Sequence, residues 1–429
     1  MVYFFINKIR GSINANEIKP IICSASYFFC LLCSYYLLRP IRDEMGIRVG
    51  ISNLSWLFSG TFLAMILVIP IFGWLTTVFS RRTFIPICYL FFTFNILFFF
   101  FAFHFFNHDL YLAASFFIWL SVFNLFVVSI FWSFMADIFT NHQARRLFGV
   151  ISAGGSAGAI LGPALTASLA PIIGTTMLLP ISAVFLAGAL ICIFHLLQYL
   201  PNESEQSVKY NQNIKINVHQ LLEGLTLILR SKYLIGIAMF VFFYTLLSTF
   251  LYFQQAEIIS KTIYDSDKRT RLFALIDLIV NVLTISTQLF VVSQLIKRLS
   301  LAITLALLPM LAIFGFLTLG FYPTLSVLVV FGIIRRAGEY AVTKPAREIL
   351  FTIVPFNEKY RAKNAIDTFI YRGGDAISGW IYEGLKIVGL GVAGVAFVAA
   401  PLAFFWGILG LTLGKYQESL RGKNAEQKT

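Results

Sequence analysis

Charge is scarce in this sequence. Of 429 residues only 12% are Asp, Glu, Lys or Arg, against roughly a quarter in soluble globular proteins. That scarcity excludes an ordinary water-soluble enzyme or scaffold. Histidine is scarcer still: the five (His104, His108, His142, His195 and His219) form no His-Glu-x-x-His pair. A membrane metallopeptidase is therefore not expected, nor a metal site or a catalytic residue of any kind. The five cysteines (Cys23, Cys30, Cys33, Cys88 and Cys192) all fall in apolar stretches. Cys30 and Cys33 form a lone C-x-x-C with no second pair and no nearby histidine, so free buried thiols are expected. The glycine-rich GGSAGAILG lacks the Lys-Ser/Thr that a phosphate loop needs. No short apolar core with a small-residue cleavage site opens the chain, so no signal peptide is expected, and no cofactor is called for.

Apolar residues are abundant. They make up 58% of the chain, mean hydropathy is +0.81, and twelve runs are long enough to cross a bilayer. They lie near 20–41, 54–78, 84–104, 110–139, 148–172, 174–200, 233–256, 272–294, 299–320, 323–354, 365–386 and 389–414. The expected class is an all-α membrane protein with twelve transmembrane helices. The net charge of +13 comes from basic residues in short loops between the runs, which is the positive-inside pattern rather than a nucleic-acid surface. Lys8, Arg10 and Lys19 precede the first run, so both termini are expected on the cytoplasmic side. The main exception is the outer loop with Lys261, Lys268, Arg269 and Arg271, diluted by Asp265 and Asp267.

The polar, Asn-rich segment from Pro201 to Asn217 divides the runs six and six, and Val218 to Leu229 after it reads as an amphipathic surface helix. The expected organisation is a six-helix bundle over 1–200, a cytoplasmic linker over 201–232, a second six-helix bundle over 233–414 and a tail over 415–429. The halves repeat: NHQARRLFGVISAGGSAGAILG from Asn141 resembles NEKYRAKNAIDTFIYRGGDAISG from Asn357, and Arg81-Arg82 matches Lys297-Arg298. Six plus six helices in parallel, pseudo-symmetric halves resemble the major facilitator architecture, which implies a solute site near mid-membrane between the halves. GWLTTVFSRR (Gly73 to Arg82) resembles the facilitator loop motif, with Thr77 near the place of its usual acid. GAILGP (Gly158 to Pro163) resembles the Gly-Pro motif of facilitator antiporters, although packing through small residues explains it equally.

Against this apolar background the stretch FGIIRRAGEYAVTKPAREILF (Phe331 to Phe351) stands out. At about 100° per residue Arg336, Tyr340, Thr343, Lys344 and Arg347 share one helix face, with Glu339 on its edge. Alignment of the two halves sets Arg336 opposite Leu120 and Arg347 opposite Phe131, deep in the fourth run, so the charged face belongs inside the tenth. Such a face must look onto water or partner charges. LLRPIRDEMG (Leu37 to Gly46) adds Arg39, Arg42, Asp43 and Glu44 at the end of the first run. Glu257 ends the seventh, Asp277 and Asn281 share a face of the eighth, and Asp367, Arg372 and Asp375 lie in the eleventh. Arginines with a few carboxylates suit an anionic solute, gripped by guanidinium forks that the acids hold in place. Tyr340, Tyr371 and Trp380 are candidates to stack on a ring, with packing the commoner use of aromatics in a chain 16% aromatic.

These residues carry a family resemblance. LLRPIRDEMG is similar to the first-span LR-x-x-KD motif of the bacterial and plastid ATP/ADP exchange carriers, with Arg39 and Asp43 matching and Arg42 in place of Lys. PAREILFTIVP resembles their P-T-K-E segment through Pro345 and Glu348, with Arg347 in place of Lys. KYRAKNAID followed by Arg372 resembles their K-x-K-x-K-A-A-I-D-x-x-x-x-R run through Lys363, Ala365, Ile366, Asp367 and Arg372, and SIFWSFMAD (Ser129 to Asp137) resembles the end of their fourth span. The acid those carriers hold upstream in that span is replaced by neutral Ser121 or Asn124. The resemblance implies nucleotide exchange. The low charge and abundant Phe, Ile and Asn fit a bacterial inner membrane, and a monomer is expected, with no partner beyond a small anionic solute and the bilayer. Arg39, Arg42, Arg336, Tyr340, Lys344, Arg347 and Arg372 would bind the solute. Asp43, Glu44, Asp277, Glu339, Glu348, Asp367 and Asp375 would act as ion-pair switches or proton carriers. The alternative is a proton-coupled facilitator for a drug, lipid or small metabolite.

Overall fold

The computed structural model describes residues 15–106, 109–200, 218–292 and 298–426. Expectations that rest on Lys8, Arg10, the side chain of Thr77, residues 201–217, Lys297 or residues 427–429 lie outside the described residues. The described chain is helical: α1 (Ala15–Val49), α2 (Leu54–Val78), α3 (Arg81–Phe105), α4 (Leu110–Ile138), α5 (Asn141–Ile173) and α6 (Leu178–Leu196), then α7 (Val218–Arg230), α8 (Lys232–Thr262), α9 (Ser266–Thr287) and α10 (Leu301–Phe321). After these come α11 (Leu325–Gly338), α12 (Lys344–Leu350), α13 (Phe356–Ala365), α14 (Tyr371–Ile387) and α15 (Val392–Glu426).

Side-chain oxygens start several of these helices by accepting the orphan amides of the first turn. Thr140 and Gln143 form a reciprocal capping box at α5, Asp265 accepts from Lys268 at α9, and Ser300 accepts from Ile303 at α10. Ten helices among the described residues are long and apolar enough to cross a membrane. The tenth and eleventh expected spans are not among the ten. The tenth carries Arg335, Arg336, Glu339, Lys344 and Arg347, and the eleventh Asp367, Arg372 and Asp375, so neither reads as apolar. Both are also interrupted. A π-helical turn, Glu339–Thr343, joins α11 to α12, and another, Ile366–Ile370, joins α13 to α14. A third, Gln288–Val292, follows α9.

By contact the chain forms two compact units. The first contains 1–41, 74–108 and 122–214, the second 42–73, 109–121 and 215–429. In the first unit α1 lies directly on α5. A Cβ added to Gly154 would sit 2.3 Å from the Ala25 carbonyl oxygen, one on Gly158 2.3 Å from that of Phe29, and one on Gly162 2.8 Å from that of Cys33. Three glycines at four-residue spacing therefore let two backbones touch, and packing accounts for the Gly158–Pro163 segment without any antiport role. Around that contact Tyr27 donates to the Tyr89 hydroxyl at 2.5 Å, Tyr89 donates to the Val127 carbonyl at 3.1 Å, and Phe28 stacks on Phe131 at 4.1 Å. Glu17 takes both carboxylate oxygens to Arg146, at 2.6 and 2.7 Å, and Arg81 pairs with Asp137. The cysteines are free thiols.

In the second unit α10 packs along α15, α8 along α14, and α9 along α11. Gly410 and Gly414 sit against the backbone of Leu305 and Ala302, so α15 meets α10 as α5 meets α1. The amphipathic α7 packs on α13: Gly224 abuts the Arg361 carbonyl, a Cβ there falling 2.4 Å from the oxygen, and Glu223 pairs with Arg361 at 2.9 Å.

The glycine stripe gives a direct test. Gly158→Leu should cost more than the ~1–3 kcal/mol of ordinary overpacking, because the obstruction is backbone. Gly149, with nothing within 4 Å of an added Cβ, should accept Ala unchanged. The thermal unfolding midpoint of detergent-purified protein checks both.

Candidate functional site

The second unit gathers nearly all the charged residues singled out in the sequence, arranged along the helices in three layers. The first layer forms where α1 runs on past Ile41 to Val49, further than the 20–41 span expected. Arg42 Nε donates to the Phe117 carbonyl at 3.2 Å, and its guanidinium lies 3.8 Å from the Phe117 ring. Arg42 also meets Asp43 at 3.4 Å, and Asp43 accepts from the Tyr252 hydroxyl at 3.1 Å. Glu44 finds its partner outside its own motif. It is fully buried, accepts from Arg269 Nη2 at 2.9 Å, and has Arg269 Nε in ionic contact at 2.8 Å. Arg269 is thus no outer-loop charge but part of α9. Arg39 lies in the first unit with its guanidinium 5.7 Å from the Tyr36 ring.

The middle layer centres on α11 and the π turn below it. Arg336 pairs with Asp277 of α9 at 2.6 Å; Asp277 is buried and Arg336 partly so. Arg335 is 5% exposed. Its Nη2 donates to the Ser248 hydroxyl at 3.1 Å, and its guanidinium lies 5.9 Å from the Tyr244 ring. Tyr244 donates in turn to Glu339, which is buried. No carboxylate lies within 4 Å of Arg335 among the described residues. Tyr244 also meets Tyr371 at 5.8 Å between ring centroids. Asp375 accepts from Thr249 at 3.3 Å, while Arg372 approaches Asp375 only to 3.8 Å and keeps 37% of its side chain exposed. Its guanidinium lies 5.4 Å from the Tyr371 ring. Lys344 is exposed, with its ammonium 4.7 Å from the Tyr340 ring and no carboxylate within 4 Å among the described residues. An exposed cation inside a spanning segment must face water rather than lipid tails.

In the third layer Arg347 bonds Asp367 at 3.1 Å and stands 3.9 Å from Glu348, and Lys363 bonds Glu348 at 2.6 Å.

The single helical stripe expected for Arg336, Tyr340, Thr343, Lys344 and Arg347 is not kept. The π turn Glu339–Thr343 adds about one residue to its turn and rotates everything below it. Arg336 turns to α9, Arg347 to the π turn of Ile366–Ile370, and Thr343 is buried. The Tyr340 carbonyl accepts from Gln288 at 3.2 Å, which ties two π turns together. Trp380 takes the commoner, packing role: it donates to Ser59 at 2.9 Å and meets Trp56 edge-on. Arg335, Tyr244, Ser248 and Tyr252 are the residues that sequence reasoning passed over. The last three recur at four-residue spacing in α8, a polar stripe in an apolar span, which is the signal that would have found them.

The family model of the Major Facilitator Superfamily matches residues 21–359. The chain belongs to that superfamily. It is accordingly a multi-pass membrane protein and a secondary transporter, not an enzyme. Solved structures that share the fold include a POT family transporter in complex with a thioalcohol-conjugated peptide (12% identity, 94% of this chain and 96% of that one, TM-score 0.62). A D-xylose–proton symporter matches at 13% identity over 93% and 97% of the two chains, with TM-score 0.61. The nucleoside transporter NupG matches at 14% identity over 92% and 99%, with TM-score 0.60. No curated protein matches the sequence.

Arg336 and Asp277 provide a test of structural against ligand-binding use. Arg336→Gln removes the cation that faces the buried Asp277 carboxylate and should cost about 3–5 kcal/mol. Adding Asp277→Asn should restore most of that stability in thermal unfolding. Recovery of transport as well would assign the pair to structure; recovery of folding without transport would assign Arg336 to the solute.

Proposed function

We propose that the protein exchanges small anionic solutes, a nucleotide or other phosphorylated metabolite among them, by alternating access. One observation carries this reading: Lys344 and Arg372 are water-facing cations inside spanning segments, each beside a tyrosine ring and neither closely matched by a carboxylate. A phosphate or carboxylate supplies the missing counter-charge, and a ring attached to it meets Tyr340 or Tyr371. The resemblance to nucleotide exchange carriers supports the nucleotide. Arg42, Arg336 and Arg347 then serve mainly as ion-pair partners of Asp43, Asp277 and Asp367, breaking and re-forming as the helices move, with Glu44, Glu348 and Asp375 fixing their neighbours. Unmatched cations resist enclosure in an empty carrier, which favours obligatory exchange over net flow. The setting we propose is a bacterial cytoplasmic membrane, with a monomer whose halves are 1–200 and 233–414 and whose termini face the cytoplasm.

A second reading has its own observation. Glu339 is a buried acid whose closest partner is a tyrosine hydroxyl rather than a cation, which suits a proton carrier. Proton coupling would make the protein a symporter of a small metabolite, drug or lipid.

Counterflow in proteoliposomes separates the two. For an exchanger, labelled anion accumulates against unlabelled internal anion whether or not an uncoupler is present, and Lys344→Ala or Arg372→Ala lowers the rate at least ~10-fold with folded protein retained. For a proton-coupled carrier, uphill uptake collapses with uncoupler and in Glu339→Gln. Wild-type counterflow in both cation variants would remove the assignment.

A further inference from the structure

Within the second unit, the charges of the middle layer and of the pairs that flank it can be matched one against another, and the remainder constrains the solute; Glu44 with Arg269, Glu257 with Lys261 and Lys386, and Glu223 with Arg361 form separate ion pairs. Arg42 is answered by Asp43, Arg336 by Asp277, Arg347 by Asp367 and Lys363 by Glu348. Between those pairs three cations remain, Arg335, Lys344 and Arg372, against two carboxylates, Glu339 and Asp375. The geometry assigns the two acids consistently. Asp375 faces Arg372 at 3.8 Å, and Tyr244 stands between Arg335 and Glu339, ring toward the guanidinium and hydroxyl on the carboxylate. Lys344 is then left over. Other pairings of these five groups leave the same surplus, one positive charge.

A carrier that encloses its solute takes this set of charges out of water. The desolvation cost is least when the loaded site is close to neutral, and it grows with every uncompensated charge of either sign. Resting on the anion-exchange reading above, we infer that the transported solute carries one anionic headgroup, a phosphate monoester or a carboxylate, and not a di- or triphosphate chain. A phosphate monoester carries about 1.5 to 2 negative charges at pH 7 and neutralises the site with at most a small excess. Each further phosphate adds roughly one more negative charge, for which this set of groups holds no further cation. The layout fits a single headgroup too. Arg336 and Arg347, which could have continued a cationic track along a polyphosphate, are turned to Asp277 and Asp367.

The test measures binding to detergent-purified protein by thermal shift and isothermal titration. The probes are adenosine, AMP, ADP, ATP, glycerol 3-phosphate and lactate, all free of magnesium. At least one single-headgroup probe should bind, and where AMP binds, ADP and ATP should be weaker by ~10-fold or more. Among the other single-headgroup probes, glycerol 3-phosphate against lactate distinguishes phosphate from carboxylate. Asp375→Asn adds one unit of positive charge and should shift the preference from AMP toward ADP. Lys344→Gln removes one from an exposed position, where folding is safe, and should weaken every anion while leaving the AMP-over-ADP order intact or sharper. Tightest binding of ADP or ATP to the wild type, or an Asp375→Asn variant that leaves the AMP-to-ADP ratio unchanged, would overturn the single-headgroup inference while sparing the anion reading. Failure of every anion to bind or exchange with folded protein would remove the anion reading itself.

Discussion

An ionised side chain at bilayer depth has to find a partner or water, and much of the second unit is arranged to satisfy that requirement. Taking an ion out of water costs several kcal/mol even after relaxation. Asp277, 1% exposed, and Glu44, fully buried, are stabilised there by direct contact with Arg336 and Arg269. These pairs join different helices: α1 to α9 through Glu44, α9 to α11 through Asp277, and the tenth span to the eleventh through Arg347 and Asp367. Their cost therefore also fixes helix neighbours and rotation. Regular α geometry gives way in these same helices. Glu339–Thr343 and Ile366–Ile370 are π turns, and the extra residue in each lets the charges above and below it reach partners in different directions.

The glycine contacts impose the opposite kind of constraint. Where Gly154, Gly158 and Gly162 meet α1, and where Gly410 and Gly414 meet α10, backbone touches backbone and little side-chain adjustment remains. Such seams favour movement as rigid bodies. The helices that carry the charged cluster lack this seam along their polar faces: Gly332 has nothing within 4 Å of an added Cβ, and at Gly338 the neighbour is the tip of the Leu308 side chain. Polar contacts to hydroxyls and ring faces, rather than backbone interlock, hold these helices, and such contacts can be exchanged at modest cost.

Sequence reading went far on class and composition and less far on side-chain direction. Hydropathy located ten of the spans, and the repeat from Asn141 to Asn357 placed Arg336 and Arg347 in one helical stretch, where the structure has them on either side of the π turn Glu339–Thr343. The pairing of Arg336 with Asp277, or of Arg347 with Asp367, was not legible, because it depends on a π turn that has no clear signature in residue types. The stripe computed at 100° per residue assumed an uninterrupted helix. Glu44 illustrates another limit: its partner Arg269 lies more than two hundred residues away, in a stretch that composition assigns to a loop. Arg335 was visible as a charge, but its importance depends on Tyr244 and Ser248, polar residues in a span read as apolar.

The place of Tyr244 suggests why this cluster can hold charge without locking. A guanidinium and a carboxylate in direct contact form a pair that is costly to break in a low-dielectric setting. Tyr244 keeps Arg335 and Glu339 apart, offering its ring face to the cation and its hydroxyl to the acid. Each charge is stabilised by a neutral group that can serve a different partner, since the hydroxyl is both donor and acceptor and a ring face attracts any cation. Arg42 and Asp43 differ in meeting directly, at 3.4 Å, yet each also has a neutral aromatic neighbour, the Phe117 ring for Arg42 and the Tyr252 hydroxyl for Asp43. Aromatic spacers between opposite charges weaken each pair without exposing either member to lipid. That balance suits a membrane protein whose charged groups must change partners, and it gives a physical reason for tyrosines to recur among the ion pairs of this unit.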